Sequence, residues 1–165
     1  AITKIMPIHS HLKQAIRYAL NPGKTENGQY TYSLNCRGDD PAKIHKAMIA
    51  TQKRFGKYKT DRRDVQAHHI IQSFAPGEVT PELACKIATE FVNRYLGEKY
   101  EAVVGIHTDQ GPLHAHIVFN AVSCADGKKS ESTPKEYFEK IRGLSAELVE
   151  KYGLSVIPKP SEDTA

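Results

Sequence analysis

The sequence has no long apolar run, no charged leader and few cysteines, and each absence removes a class of protein. No stretch of about 18 apolar residues occurs, which predicts no membrane insertion. The opening Ala1–Ile5 lacks a basic region followed by an apolar one, so we expect no secretion signal. The three cysteines, Cys36, Cys85 and Cys124, are far apart and odd in number, which favours free thiols over a disulfide framework or a zinc knuckle. Together these features predict a cytoplasmic protein.

The composition that is present fits one globular domain with a basic segment. The chain has 165 residues, 39% of them hydrophobic and 25% charged, which is enough for a single core. Its net charge of +4 is concentrated in Lys53–Arg63, where six basic residues alternate with two aromatic ones. Such a segment can neutralise phosphates and stack on unpaired bases, although a solvated helix end would have a similar composition.

The periodicity of apolar residues predicts a mixed α+β fold. Alternation indicates strands at 2–8, 30–35, 67–74, 101–107 and 114–122, with a further edge strand at 154–157. Helical spacing and helix-start signals indicate helices at 11–20, 41–55, 80–97 and 133–153. The clearest strand pair is a hairpin, so we expect an α/β sandwich: a central, mainly antiparallel five-stranded sheet with helices on one face.

The hairpin at His107–Asn120 carries three histidines. Side chains alternate along a strand, so His114 and His116 share one face, and His107 on the preceding strand falls on the same side. Three converging neutral imidazoles form a metal site with positions left open for substrate. A histidine pair at this spacing is also typical of an exposed polar face. A hydrolytic zinc site is a further alternative, although no Glu stands in the H-E-x-x-H arrangement of a protease.

The first helix places a tyrosine away from its apolar stripe. The stripe runs along Leu12–Leu20, and Tyr18 lies on roughly the opposite side of the helix. A tyrosine hydroxyl can attack phosphorus and form a phosphotyrosyl link when a metal polarises the phosphate. A plain surface tyrosine is the alternative interpretation, and Tyr30 and Tyr32 are rival candidates on the same grounds.

These motifs resemble those of the HUH endonuclease superfamily, specifically MobP-type relaxases of Gram-positive conjugative plasmids and transposons. The family's three-histidine motif is matched by His107, Asp109, His114, His116 and Asn120. The segment His68–Glu82 looks like one found in these relaxases, and Ala15–Pro22 is similar to the motif that holds their nucleophilic tyrosine. The similarities follow the family's order, and they imply an HUH relaxase-like fold.

The resemblance implies site- and strand-specific nicking and rejoining of single-stranded DNA at an origin of transfer, through a covalent 5′-phosphotyrosyl intermediate. The implied ligands of a divalent ion, Mn²⁺ or Mg²⁺, are His107, His114 and His116. Tyr18 would be the nucleophile, Asp109 would orient a ligand histidine, and His68 or His69 would contact the phosphate or the nucleophile. Some related relaxases use histidine as the nucleophile; His9 and His11 lie close to Tyr18 in sequence, and His11 shares its helix face.

The resemblance also implies partners and domain limits. Residues 1–157 would form the catalytic domain, and 158–165 would begin a truncated C-terminal region. We expect hairpin and single-stranded DNA as the substrate, together with an accessory DNA-binding protein and a type IV secretion coupling protein. The basic residues expected to contact DNA as a group are Arg17, Lys24, Arg37, Lys53, Arg54, Lys57, Arg62 and Arg63. A rolling-circle replication initiator and an inactive DNA-binding module of the same fold remain as alternatives.

Overall fold

The computed structural model describes residues 2–59, 61, 63–130 and 134–154. Within them the elements follow in the order β1 (Ile2–Ile8), α1 (Leu12–Ala19), β2 (Thr31–Leu34), α2 (Pro41–Arg54), β3 (Ala67–Ser73), α3 (Pro81–Leu96), β4 (Ala102–His107), β5 (His114–Asn120) and α4 (Pro134–Lys151). The predicted edge strand beyond Leu154 and the tail at 158–165 lie outside the described residues. No helix in the described part of the chain is long and apolar enough to cross a membrane.

The helix boundaries follow from local chemistry. The Asp40 side chain accepts a hydrogen bond from the Ala42 amide, and the Thr80 hydroxyl does the same for the Leu83 amide. Each cap is followed by a proline whose fixed φ suits the first helical turn and whose missing N–H would have had no partner there. Helix α3 ends at Gly97, where φ is 57° and glycine avoids the steric cost of a side chain.

The five strands form one antiparallel sheet in the order β1-β3-β5-β4-β2. The predicted fold class is therefore confirmed. The histidine-bearing hairpin of β4 and β5 is central, with β3 on the other side of β5. In this register His107 lies opposite His114, and Gly105 lies opposite His116.

Helices cover both faces of the sheet, and in this detail the prediction of helices on one face was wrong. Helices α3 and α4 pack on one face against residues such as Ile117 and Phe119. On the other face, α1 and α2 pack against Ala67, Val103 and Val118. The physical reason is that β4 and β5 are buried on both faces along almost their whole length, as strands between two layers must be.

Helix α1 approaches the sheet closely at a glycine. A Cβ at Gly105 would lie 1.8 Å from the backbone oxygen of Ala19, so only glycine permits this contact. The contact brings the last turn of α1 beside His107, whose ring is within 3.1 Å of the same oxygen. Helices α1 and α2 cover the end of this face near Val103 and Val118. The end near the hairpin turn holds an open pocket.

Candidate active site

The hairpin brings three histidine rings to one face of the sheet, as the alternation of side chains predicts. The ring centres of His107 and His116 are 4.0 Å apart, and those of His114 and His116 are 6.3 Å apart. His107 and His116 are buried, whereas His114 is half-buried at the open side. The three rings therefore form a continuous polar group beneath the pocket.

Tyr18 stands over this group from α1. Leu12, Ile16 and Ala19 of the helix are buried, while Tyr18 remains 45% exposed. Its ring centre lies 4.9 Å from that of His107 and 5.1 Å from that of His116, both edge-on. The tyrosine singled out by its position off the apolar stripe is thus in contact with the histidines.

A charged pair lies beside the tyrosine. The Lys24 Nζ atom is 2.9 Å from Asp109 Oδ2 and 5.5 Å from the centre of the Tyr18 ring. The hydrogen bond between them raises the pKa of Lys24 and lowers the pKa of Asp109. The carboxylate of Asp109 is therefore bonded to Lys24 and not to a histidine ring.

Two other groups orient the rings of the histidines. A ring nitrogen of His107, Nε2, lies 3.1 Å from the carbonyl oxygen of Ala19. Nδ1 of His116 lies 3.0 Å from Nε2 of His69 on β3. In many metal sites the ligand histidine hydrogen-bonds through its second ring nitrogen in this way, which fixes the ring and leaves the other nitrogen for the ion.

The rings of His69, His107 and His116 are neutral at pH 7. Burial lowers the pKa of His116 to about 3 and that of His69 to about 4. Burial also lowers the pKa of His107. Because a low dielectric disfavours the imidazolium ion, each ring keeps a lone pair on one nitrogen, as a metal ligand must.

The donor set fits a divalent ion in its chemistry, although its rings are not yet gathered around one point. Among the described residues, no three His, Cys, Asp or Glu side chains already form a group that could hold an ion. Two imidazoles on one tetrahedral ion have ring centres roughly 5 Å apart. The separations of 4.0 Å and 6.3 Å lie on either side of that value, so the rings need to turn to share an ion.

The pocket above the histidines has a volume of about 330 Å³. It is lined by Lys4, Tyr18, Lys24, Ile71, Ser73, His107, Asp109, Gln110, His114 and His116. Lys4, Ile71, Ser73 and Gln110 were not among the site residues predicted from the sequence. Alternation along β3 could have indicated two of them, because Ile71 and Ser73 share a face with His69.

Several predicted site residues lie elsewhere. His69 contacts His116 but does not line the pocket. His11 is exposed at the start of α1, seven residues before Tyr18, which is about 10 Å along a helix. His68 points to the opposite face, where it stacks on Phe119 and lies 2.9 Å from the Ser130 hydroxyl.

The basic residues expected to contact DNA are dispersed. Lys24 lines the pocket, and Arg17 and Arg37 are exposed. The segment from Lys53 to Arg63 leads into the end of β3 farthest from the pocket. Some of its charges are already engaged: Lys57 donates to the carbonyl of Gly127, and Arg63 pairs with Asp61. The Lys53 ammonium lies 4.9 Å from the ring centre of Tyr58, whereas Arg62 is outside the described residues.

Comparison with known proteins identifies the family. The chain matches the family model "Relaxase: MobA/VirD2-like, nuclease domain" over residues 18–154. It is 36% identical over 149 residues to a protein Rlx of Staphylococcus aureus, covering 90% of this chain and 42% of that protein. It is also 32% identical over 111 residues to the group II intron-interrupted relaxase LtrB of Lactococcus lactis, covering 58% of this chain and 19% of that protein. The chain thus spans less than half of the length of these relatives.

Solved structures of low sequence identity share the fold. A manganese-bound MobM relaxase domain in complex with origin DNA of plasmid pMV158 superposes with a TM-score of 0.61 at 15% identity, covering 94% of this chain and 88% of that one. A structure described as the molecular basis of vancomycin resistance transfer in Staphylococcus aureus superposes with a TM-score of 0.56 at 16% identity, covering 94% and 96%. The family match, rather than the shared fold, favours a relaxase over a replication initiator or a zinc hydrolase. The chain belongs to the MobA/VirD2-like relaxases and carries their nuclease domain.

Proposed function

We propose that this domain nicks and rejoins one DNA strand at an origin of transfer and so initiates conjugative transfer or mobilisation. The observation that carries the proposal is the position of Tyr18, which stands against His107 and His116 at the mouth of an open pocket. The family match supports the reaction class. The MobM relaxase domain of the same fold was solved with origin DNA and manganese, which supports the substrate and an ion at the site.

In the proposed reaction the Tyr18 hydroxyl oxygen attacks the scissile phosphorus. The hydroxyl loses its proton as its oxygen bonds to phosphorus, the bond from phosphorus to the 3′ oxygen breaks, and the 3′ oxygen takes up a proton, so no net proton is consumed. The protein is left on the 5′ end as a phosphotyrosyl ester. Because one phosphoester replaces another, a 3′ hydroxyl can reverse the step and rejoin the strand.

The histidine face would hold a divalent ion, Mn²⁺ or Mg²⁺, through His107, His114 and His116. An ion bound there would neutralise charge on the scissile phosphate. The rings themselves are suited to this role because burial keeps His107 and His116 neutral. One ring nitrogen of His107 faces the Ala19 carbonyl, and one ring nitrogen of His116 faces His69. The second nitrogen of each ring would bind the ion.

Charged groups around the pocket would bind the DNA backbone. Lys24 is held beside Tyr18 by Asp109, where its ammonium can contact the phosphate oxygens that flank the attacked bond. Lys4 lines the same pocket from β1. The remaining predicted DNA contacts would extend the interface, and an accessory DNA-binding protein and a coupling protein would act on the same complex.

The test is a denaturing-gel assay on labelled single-stranded oligonucleotides that span the origin of the encoding element. With Mn²⁺ or Mg²⁺ we expect the wild type to form a protein-linked 5′ end, and with EDTA we expect none. Tyr18→Phe should abolish the covalent product, because the ring contacts remain while the nucleophilic oxygen is absent.

Tyr32→Phe is the matched control. Its hydroxyl contacts Asn93 on the other side of the sheet, so full activity is expected. A covalent product that persists in Tyr18→Phe would show that another residue is the nucleophile, with His11→Ala the next variant to measure. Absence of cleavage by the wild type in every metal, despite DNA binding, would contradict the proposed reaction.

A further inference from the structure

A hydrogen bond between two histidines links β3 to the proposed metal site. His69 and His116 are diagonal neighbours on one face, because His69 lies opposite Val118 and His116 lies opposite Ile71 in the β3–β5 register. Their ring nitrogens Nε2 and Nδ1 are 3.0 Å apart. His116 makes no other side-chain hydrogen bond among the described residues, so its Nε2 atom is left for the pocket.

The hydrogen bond has two possible directions, and they have opposite consequences for metal binding. If His69 donates from Nε2, then Nδ1 of His116 accepts, and the proton of neutral His116 resides on its Nε2 atom. If His116 donates from Nδ1, its Nε2 atom keeps the lone pair. Only the second arrangement presents a ligand atom toward the pocket.

We propose that His69 is a positioning residue that accepts the Nδ1–H of His116 and thereby reserves Nε2 of His116 for a divalent ion. The inference rests on the proposed function, since it assigns His69 a role at the same metal site. It replaces the direct contact with phosphate or nucleophile expected from the sequence, because His69 lies behind His116 and does not line the pocket.

The proton position on the neighbouring ring, that of His107, is fixed by a backbone group. His107 Nε2 faces the carbonyl oxygen of Ala19, which can only accept, so this nitrogen carries the proton. A carbonyl fixes the direction of the hydrogen bond on its own, whereas a histidine does not. The position of the proton on His116 therefore depends on the identity of residue 69. A substitution of His69 should change the proton position on His116 and leave that on His107 unchanged.

The experiment combines NMR with metal titration. Long-range ¹H–¹⁵N spectra of the metal-free protein report which nitrogen of His116 is protonated, and we expect Nδ1. Calorimetric titration with Mn²⁺ alone then compares the wild type with His69→Leu, which has no acceptor, and His69→Gln, whose amide oxygen can replace Nε2. We expect His69→Leu to bind Mn²⁺ about 10-fold or more weakly and His69→Gln to stay close to the wild type.

His68→Gln is the matched control, because His68 is adjacent in sequence but bonds to Ser130 on the opposite face. Its Mn²⁺ affinity should equal that of the wild type. A proton on Nε2 of His116, an unchanged affinity in His69→Leu, or equal losses in the Leu and Gln variants would each overturn the role of His69. Failure of the wild type to bind Mn²⁺ overturns the metal site of the proposed function, whatever the tautomer.

Discussion

Two polar clusters lie toward opposite ends of the β4–β5 pair on the same face of the sheet. One is covered by a helix and hydrogen-bonded within the protein, whereas the other faces an open pocket. The glutamate cluster consists of Thr51, Gln52, Glu101 and Asn120, where α2 covers the strands. The histidine cluster consists of His69, His107, His114 and His116, where the sheet is open.

In the glutamate cluster the side chains hydrogen-bond to one another and to the backbone. Asn120 is fully buried, donates to Glu101 and to the Met48 carbonyl, and accepts from Gln52. Glu101 also accepts from the Thr51 hydroxyl. Because an unpaired polar group away from water is costly, this closed arrangement indicates a structural role.

In the histidine cluster some ring nitrogens have no hydrogen-bond partner among the described residues. His107 and His116 each use one ring nitrogen on a protein acceptor or ring, and Tyr18 above them is nearly half exposed. The same two strands therefore carry a structural polar cluster and the polar cluster of the proposed active site, and the two differ in how far the α1–α2 layer covers them.

The largest effect on stability is expected from opening the glutamate cluster. Asn120→Ala removes the donor to a buried carboxylate and leaves the Gln52 amide with the Gln66 carbonyl as its remaining acceptor, which should lower the free energy of unfolding by about 3 kcal/mol in urea titrations. Asn93→Ala, which removes an exposed asparagine, should change it by less than about 0.5 kcal/mol. A comparable small loss in Asn120→Ala would contradict the structural role of the cluster.

In the histidine cluster we expect a substitution to weaken metal binding strongly and to change stability little. His114→Ala removes one proposed ligand and should weaken Mn²⁺ binding at least about 100-fold by calorimetry. The thermal midpoint without metal should barely move, because the half-buried ring makes no side-chain hydrogen bond among the described residues. His45→Ala serves as a half-buried histidine control outside the site. Unchanged Mn²⁺ affinity in His114→Ala would remove this residue from the ligand set.

Much of this contrast could be predicted from local sequence patterns. Alternation in the hairpin gives the shared face of His107, His114 and His116, and the apolar stripe of α1 leaves Tyr18 outside the core. Both inferences depend on residues close together in the chain, for which strand and helix periods determine the facing.

The parts that could not be predicted depend on distant pairing. Alternation does not reveal that β3 lies beside β5, so the contact between His69 and His116 was not visible. The second helical layer did leave a signal, because the run Ala102–Ile106 has no polar side chain on either face of its strand. The basic segment Lys53–Arg63 was prominent in the sequence. It leads into the end of β3 that lies away from the pocket, and this separation depends on tertiary structure.

The smallest expected effect concerns the charge of the glutamate cluster. Burial raises the pKa of Glu101 above its usual value of 4.5. The folded protein then binds more protons than the unfolded chain between 4.5 and the raised pKa, so this group lowers stability as pH rises through that window. Glu101→Gln removes the titration but keeps the geometry, because its amide oxygen can accept from Asn120 and its NH₂ can donate to Thr51.

The unfolding free energy of Glu101→Gln relative to the wild type should therefore increase between pH 4.5 and pH 7 in urea titrations at each pH. Glu98→Gln, at an exposed position nearby, should show no such trend. Mn²⁺ affinity at pH 7 should be the same in wild type and Glu101→Gln, since the two clusters share strands but no hydrogen bond. A pH-independent difference would mean that Glu101 is solvated well enough to ionise normally. The glutamate cluster would then be open to water, like the histidine cluster. The two clusters would differ in the types of residue they contain and not in their coverage by α2.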